Sequence, residues 1–390
     1  MKEENKGLKR LLRGLSYVLV ATLAAAAAYW IAVSSSTTKL DQLEAVIDRY
    51  FIEDYDKTAV SDAAADAMVN ALGNRWSYYI PASEYVAHLE RQNNAYVGIG
   101  ITIVPLESGK GLEIIKVETG GGAEEAGLQV GDILIRVGEQ GIDELSIDNA
   151  KTLVQGEAGT TVSVTVLRDD KELTFTVQRR QIKVVVATGA MLKDNVGYIK
   201  INNFNGRCAE ETIALIEKLR KEGATSLLFD VRFNPGGYKD EMVKILDHLL
   251  PEGDLFCSVD YDGNEKVDTS DANCLKMPMA VLVNGDSYSA AEFFGAALHE
   301  YGWATLVGQP TTGKSHFQIT MELMDGSAVN LSVGKYLTPK GVSLADVGGL
   351  TPDKTVQVDE DTYTKIYYGE LKPEEDPQIL AALEVLKTAQ

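Results

Sequence analysis

MPMAVLVNGDSYSAAEFFGAALHEYGWATLVGQPTTGKSHFQ, residues 277–318, is the stretch on which the fold turns. It opens on an apolar run, Met279 to Val283, and passes through a small polar turn, Asn284-Gly285-Asp286-Ser287-Tyr288. A helical pattern begins at Ser289-Ala290-Ala291-Glu292, and Phe293, Phe294, Ala297 and Leu298 give that helix a buried face. Ser289 therefore stands where a buried strand turns into a helix. Backbone N–H groups at a helix start have no intrahelical partner and favour negative charge. A hydroxyl placed there has oxyanion donors beside it, the N–H of Ala290 among them. The bland role open to both Ser287 and Ser289 is that of N-cap.

A serine nucleophile needs a base. Lys314 follows Ser289 by 25 residues, within Gly313-Lys314-Ser315-His316-Phe317-Gln318. Phe317, Ile319 and Met321 alternate with His316, Gln318 and Thr320, so a turn leads into a strand on which 314, 316 and 318 share a face. A lysine acts as base only when burial or neighbouring positive charge brings its pKa toward neutrality. Gln318 can hold the amine through its side-chain carbonyl without adding charge. The pattern is that of a Ser/Lys dyad for acyl transfer. His299 lies ten residues beyond Ser289 on the same predicted helix, roughly 15 Å away at 1.5 Å per residue, too far to act as its base.

The chain of 390 residues carries 37 basic and 57 acidic side chains, a net charge of −20. That length suits two or three domains, and the acidic balance argues against nucleic acid as a partner. Four histidines, none clustered, argue against a histidine-based metal site, and nothing in the pattern calls for a cofactor. Residues 1–36 hold Lys2, Lys6, Lys9, Arg10 and Arg13, then a charge-free run from Gly14 to Ser36. Its most apolar part, Leu15 to Val33, is long enough to cross a bilayer. The basic flank places the N-terminus in the cytoplasm and the bulk of the chain outside. An uncleaved anchor is the favoured reading; the small residues at 34–36 also suit a cleaved signal peptide. Cys208, Cys257 and Cys274 form no disulfide framework. Cys257 and Cys274 flank a polar segment and are either one bridge or two packed thiols.

Residues 37–92 read as helical. Leu40, Leu43, Val46, Ile47, Tyr50 and Phe51 follow a helix period, and Ala63 to Leu72 form a second helix with Ser61 or Asp62 as N-cap. Residues 93–182 change character. Tyr96-Val97-Gly98-Ile99-Gly100-Ile101-Thr102-Ile103 is a glycine turn running into a strand, and Gly111 to Val117 is another strand. Ala123-Glu124-Glu125-Ala126-Gly127-Leu128 is a short helix closed by glycine, and Val130 to Val137 a turn then a strand. Ile147 to Val154 is a helix, and Thr160 to Arg168 with Glu172 to Gln178 a hairpin. This order resembles a PDZ domain of the bacterial protease-associated type. The resemblance makes Gly98, Ile99, Gly100 and Ile101 the loop whose backbone N–H groups take a C-terminal carboxylate, the ligand adding as a strand at the sheet edge.

From 183 to 390 strand and helix alternate: Val196 to Ile201, Ala209 to Leu219, Ser226 to Val231, then Arg232-Phe233-Asn234-Pro235-Gly236-Gly237 and a helix from Lys239 to Leu250. Two glycines between a strand end and a helix start expose backbone N–H groups. Val329 to Leu337 is a strand and Pro377 to Leu386 a closing helix, its proline suited to a first turn. The fold class is α/β (α+β) and multidomain.

With these pieces in place, residues 38–390 resemble the C-terminal processing (tail-specific) peptidases, Ser/Lys proteases with a PDZ domain beside the catalytic core. The carrying motifs are Leu72-Gly73-Asn74-Arg75-Trp76-Ser77-Tyr78-Tyr79, the PDZ pattern, Phe229-Asp230-Val231-Arg232-Phe233-Asn234-Pro235-Gly236-Gly237, and Ser289 with Lys314 and Gln318. Thr338-Pro339-Lys340-Gly341 and Thr351-Pro352-Asp353 complete them. The resemblance implies a crotonase/Clp-like core, Ser289 as nucleophile, Lys314 as base and Gln318 as its orienter. It also implies an oxyanion hole from the N–H of Ala290 and that of Gly236 or Gly237. Protein substrates with unstructured C-terminal tails follow from it. Helices within 38–92 and the C-terminal helix could support a homodimer. The chain departs from the family pattern at Asp286 and bulky Tyr288 near the serine, at Ser315 and His316 near the lysine, and at Gln155-Gly156, where the family commonly has Arg-Gly. The rival readings are an inactive PDZ scaffold and, from the core fold alone, an enoyl-CoA-hydratase-like enzyme.

Overall fold

A computed structural model describes residues 38–106, 111–142 and 147–388 and the isolated positions 16, 20 and 22. The expected anchor, Leu15 to Val33, lies outside the described residues but for those three positions. Among the described residues no helix is long and apolar enough to cross a membrane. Residues up to Ala64 and residues from Ala65 onward form two compact units.

In the first unit Thr38 caps the helix Lys39–Tyr50 in a reciprocal box with Asp41. Leu43, Val46 and Tyr50 of this helix are exposed. The next helix runs from Lys57 to Asn70, earlier than the sequence pattern predicts. Asp56, rather than Ser61 or Asp62, caps it: its carboxylate accepts from the N–H groups of Thr58 and Ala59 at 2.8 and 3.1 Å. Nothing between Lys57 and Ser61 breaks a helix, so the cap falls one turn sooner.

The second unit is built on a six-stranded sheet in the order 187–191, 196–201, 226–230, 279–283, 304–308, 354–355. All its pairs are parallel except the first. Such strands are covered on both faces and read as near-continuous apolar runs. Leu227, Phe229, Val281 and Val283 face the helices Cys208–Lys221, Lys239–Leu249 and Ala290–Glu300 in one core. Leu228, Ala280 and Leu282 face Ile379, Ala382 and Leu386 of the closing helix Pro377–Thr388 in another.

A second, antiparallel sheet holds the long strand Ala328–Leu337 against Gly253–Asp260, Tyr78–Ile80 and His316–Glu322. Tyr78–Ile80 corrects the all-helical reading of 37–92: Tyr78, Tyr79 and Ile80 pair with Asn330, Val329 and Ala328. A Tyr-Tyr-Ile run favours a strand where a sheet edge is on offer. Cys208, Cys257 and Cys274 are all free thiols, so the bridged alternative falls.

The PDZ segment forms its own sheet, Ile101–Pro105, Leu112–Val117, Ile133–Val137, Thr161–Arg168 and Lys171–Gln178 in that order, around Ile99, Ile114, Leu134 and Val164. The chain enters and leaves it by a two-stranded antiparallel ribbon, Ala95–Gly98 against Arg180–Lys183.

Candidate active site

The strand Met279–Val283 ends in the turn 284–288, and the helix Ala290–Glu300 starts with Ser289 as its N-cap. Ser287 is fully buried and committed to structure. Its hydroxyl donates to the Val231 carbonyl at 2.8 Å and accepts from the Asn284 N–H at 3.0 Å. That leaves Ser289 as the serine open to the cavity. Ser289 has φ 59° and ψ −127°, a conformation that a residue with a side chain adopts at a cost of order 1–3 kcal/mol. Strain of this kind aims the side chain where a relaxed turn would not.

The glycine loop meets it. A Cβ on Gly236 would lie 2.8 Å from the Ser289 Cβ and 2.9 Å from the Ala290 nitrogen, and its φ is +88°. Only glycine lets the two loops approach so closely. The Gly236 N–H is already taken, donating to Asn234 Oδ1 at 2.8 Å. The N–H groups of Gly237 and Ala290 donate to no protein acceptor among the described residues. The loop is held from behind. Arg232, buried, pairs with Asp230 at 2.6 Å and Asp376 at 2.9 Å and donates to Gln378 at 2.9 Å.

Ser289, Lys314, Gln318 and Gly237 line one cavity of about 770 Å³. Its walls include Tyr85, Leu89 and Gln92 from the helix Ala82–Gln92 and Tyr238 beside the glycines. Lys314 is half-buried, and burial pushes its amine down to about 8; Glu292 opposes that shift and Arg75 adds to it. Its Nζ lies 4.5 Å from the centre of the Trp76 ring.

The register breaks between Phe317 and Gln318, and the strand proper begins at His316. The expected shared face does not hold: Lys314 precedes the strand, and Val333 of the facing strand is left unpaired where the register shifts. Lys314 and Gln318 still point to the Ser289 cavity, but His316 lines a different hollow with Tyr261 and Lys335. Burial lowers the His316 pKa, so it carries little charge near neutral pH. Gln318 donates to Ser332 Oγ at 3.0 Å and to the His316 carbonyl at 3.1 Å, and makes no hydrogen bond to Lys314 among the described residues. His299 pairs with Asp353 at 3.0 Å, in another hollow of the surface.

Glu292 was not singled out by the sequence reading. Fully buried, its carboxylate accepts from the N–H groups of Ser289, Gly313 and Lys314 at 3.0, 2.7 and 2.8 Å and from the Thr311 hydroxyl at 2.5 Å. It ties the start of the serine's helix to the loop that carries the lysine. Ser-x-x-Glu spacing, the capping-box signature, was the available signal for half of this role.

In the PDZ segment, Gly98 pairs with Arg180, Gly100 has φ +82°, and Ile101 opens the edge strand of the sheet. Ile99 is buried in the core, while the N–H groups of Ile99 and Gly100 donate to no protein acceptor among the described residues.

Comparison with known proteins agrees with this layout. Residues 195–356 match peptidase family S41 and residues 97–178 the PDZ domain. A probable CtpA-like serine protease of Staphylococcus haemolyticus (strain JCSC1435) is 32% identical over 301 residues, 76% of this chain and 60% of that protein. The carboxy-terminal processing protease CtpA of Bacillus subtilis (strain 168) is 28% identical over 314 residues, 79% of this chain and 67% of that protein. The chain thus spans less than two thirds of the length of the staphylococcal relative. Among solved structures, a putative S41 protease from Bacteroides fragilis NCTC 9343 shares the fold, with a TM-score of 0.51 at 18% identity, over 83% of this chain and 90% of that one. Residues 195–356 thus carry a peptidase family S41 core with a PDZ domain before it, and over about three quarters of its length the chain is similar to CtpA-type proteases.

Proposed function

We propose that the chain is a serine endopeptidase that cleaves proteins at or near their C-terminal tails. Leu15 to Val33 anchor it in the cell membrane, and its catalytic bulk lies outside the cytoplasm. The Gly98–Ile101 loop takes the tail's carboxylate, and the tail adds as a strand beside Ile101–Pro105. Neutral Lys314 takes the proton from the Ser289 hydroxyl as the oxygen attacks a peptide carbonyl. The N–H groups of Ala290 and Gly237 receive the oxyanion. Lys314 then gives its proton to the leaving amine, and a water activated by the same lysine releases the acyl group. An unfolded tail suits this arrangement, because an extended strand must fit both sheet edge and cavity.

The observation that carries the reading is one cavity with Ser289 and Lys314 in its wall and two undonated amides beside the serine. The test is degradation of a flexible protein by the purified chain. Ser289→Ala and Lys314→Ala should each lower kcat/KM by at least about 10³-fold. Cleavage unchanged in both variants overturns the mechanism, and tail binding without cleavage by the parent chain leaves a scaffold.

A further inference from the structure

Tyr288 is bulky where the family pattern is small, and the structure gives its ring a partner. The Trp76 ring lies against it, centroids 5.5 Å apart and planes 34° from parallel. Lys314 Nζ sits 4.5 Å from the Trp76 centroid and 5.9 Å from that of Tyr288. Arg75, of the same charge as Lys314, has its guanidinium carbon 4.0 Å from the centre of the same ring. The turn carrying Trp76 is pinned to the protease core. Asn74 Oδ1 accepts from the Trp76 N–H at 3.0 Å and from Ser332 Oγ at 3.1 Å, and Asn330 donates to the Trp76 carbonyl at 3.2 Å. Ser332 is also the acceptor of Gln318. A continuous path of hydrogen bonds therefore runs from Gln318 through Ser332 and Asn74 to the backbone of Trp76.

We infer that Trp76 is a positioning residue for the reaction: with Tyr288 it walls the Lys314 amine against water and fixes its place, and Gln318 acts by holding the turn that presents the ring. The inference rests on Lys314 serving as base. A ring face attracts an ammonium less than water solvates it, so the walls favour the neutral amine despite their cation–π attraction. The other groups facing Lys314 are Glu292 from the serine's helix, which opposes neutrality, and Arg75 from the Trp76 turn, which favours it. His316 on its own strand is largely uncharged near pH 7.

The experiment follows the ¹³Cε resonance of Lys314 against pH in the full chain carrying Ser289→Ala, assigned by its loss in Lys314→Met. The midpoint should lie near 8. Trp76→Ala should raise it by about one unit, and Trp76→Phe should restore it. In chains that retain Ser289, Trp76→Ala should shift the rising limb of kcat/KM by the same amount. At pH 8 the loss is then about fivefold, with the high-pH plateau kept. If Trp76→Ala fails to fold, Tyr288→Ala reads the same wall and should shift the midpoint in the same direction. An unmoved midpoint in Trp76→Ala, or equal effects of Trp76→Ala and Trp76→Phe, overturns the inference. A midpoint that moves in a chain whose cleavage ignores Lys314→Met keeps the wall and discards lysine as the base.

Discussion

Four donors converge on one carboxylate at Glu292, and that convergence sets the spacing between serine and lysine loops. Glu292→Gln replaces an acceptor with an amide whose NH₂ must face backbone N–H groups. Burial of an unmatched donor costs about 1–3 kcal/mol, so thermal unfolding should show a loss of that order. Turnover should fall further than stability does, because the two loops lose their common anchor. Lys314 makes a second prediction at this scale. Its folded pKa of about 8 lies below the ordinary 10.5, so the native state sheds this proton before the unfolded chain does. The burial penalty is therefore full below about pH 8, shrinks as pH rises toward 10.5, and is gone above it. Lys314→Met should be more stable than the parent at pH 7 by at most about 3 kcal/mol, less what water screens, and the gap measured by denaturant should close above pH 10.5. Turnover of the parent should rise with pH through about 8. At this scale the sequence offered candidates, and the structure puts Ser289 and Lys314 in the wall of one cavity, but their partners were not legible. Ser289 and Lys314 were legible from a strand-turn-helix pattern and a following strand. Trp76 was not, since nothing local places a ring over an amine 238 residues later.

Elements were more legible than residues where a period ran unbroken, and less so where backbone geometry departed from it. Ile147–Val154 and Val196–Ile201 have the bounds their patterns predict. The register shift at Phe317/Gln318 was not legible either, because the extra residue, Val333, belongs to the facing strand, far away in the chain from the alternation it disturbs. The contact of the glycine loop with the serine's helix start was equally hidden, for it joins strand ends that only the sheet order makes neighbours. That contact is testable. Gly236→Ala places a Cβ 2.8 Å from the Ser289 Cβ at a φ of +88°, so both loops must shift. A shift of the order of an ångström at the reacting oxygen costs about 10²-fold in rate. Gly236→Ala should therefore lose at least that much kcat/KM, while the PDZ segment still binds a tail peptide with unchanged affinity. Normal turnover in this variant would mean that the glycine loop does not border the reacting group.

At the scale of the molecule, Arg207 ties the root of the PDZ segment to the protease core, beside the Asn94 amide that donates to Asn203 Oδ1 and the Gly206 carbonyl. The ribbon Ala95–Gly98/Arg180–Lys183 ends beside Arg207, which donates to the Asn94 carbonyl at 2.7 Å and the Val184 carbonyl at 2.6 Å. Glu211 accepts from Arg207 at 2.6 Å and, through its other oxygen, from the Val186 N–H at 2.8 Å. Immediately before the ribbon lies the helix Ala82–Gln92, whose Gln92 accepts from the Tyr238 hydroxyl at 2.8 Å, one residue from Gly237. A displacement of the ribbon's root therefore reaches the cavity wall through a single helix. If tail capture opens the cavity by this path, a saturating tail peptide should raise turnover of a second, unrelated substrate. Arg207→Ala unties the root, so its basal turnover should rise and its response to the peptide should shrink. A parent chain whose turnover ignores the peptide has no such gate. A variant that keeps the full response places the hinge somewhere other than Arg207, because the ribbon's two carbonyls would then be held by nothing that matters to the cavity.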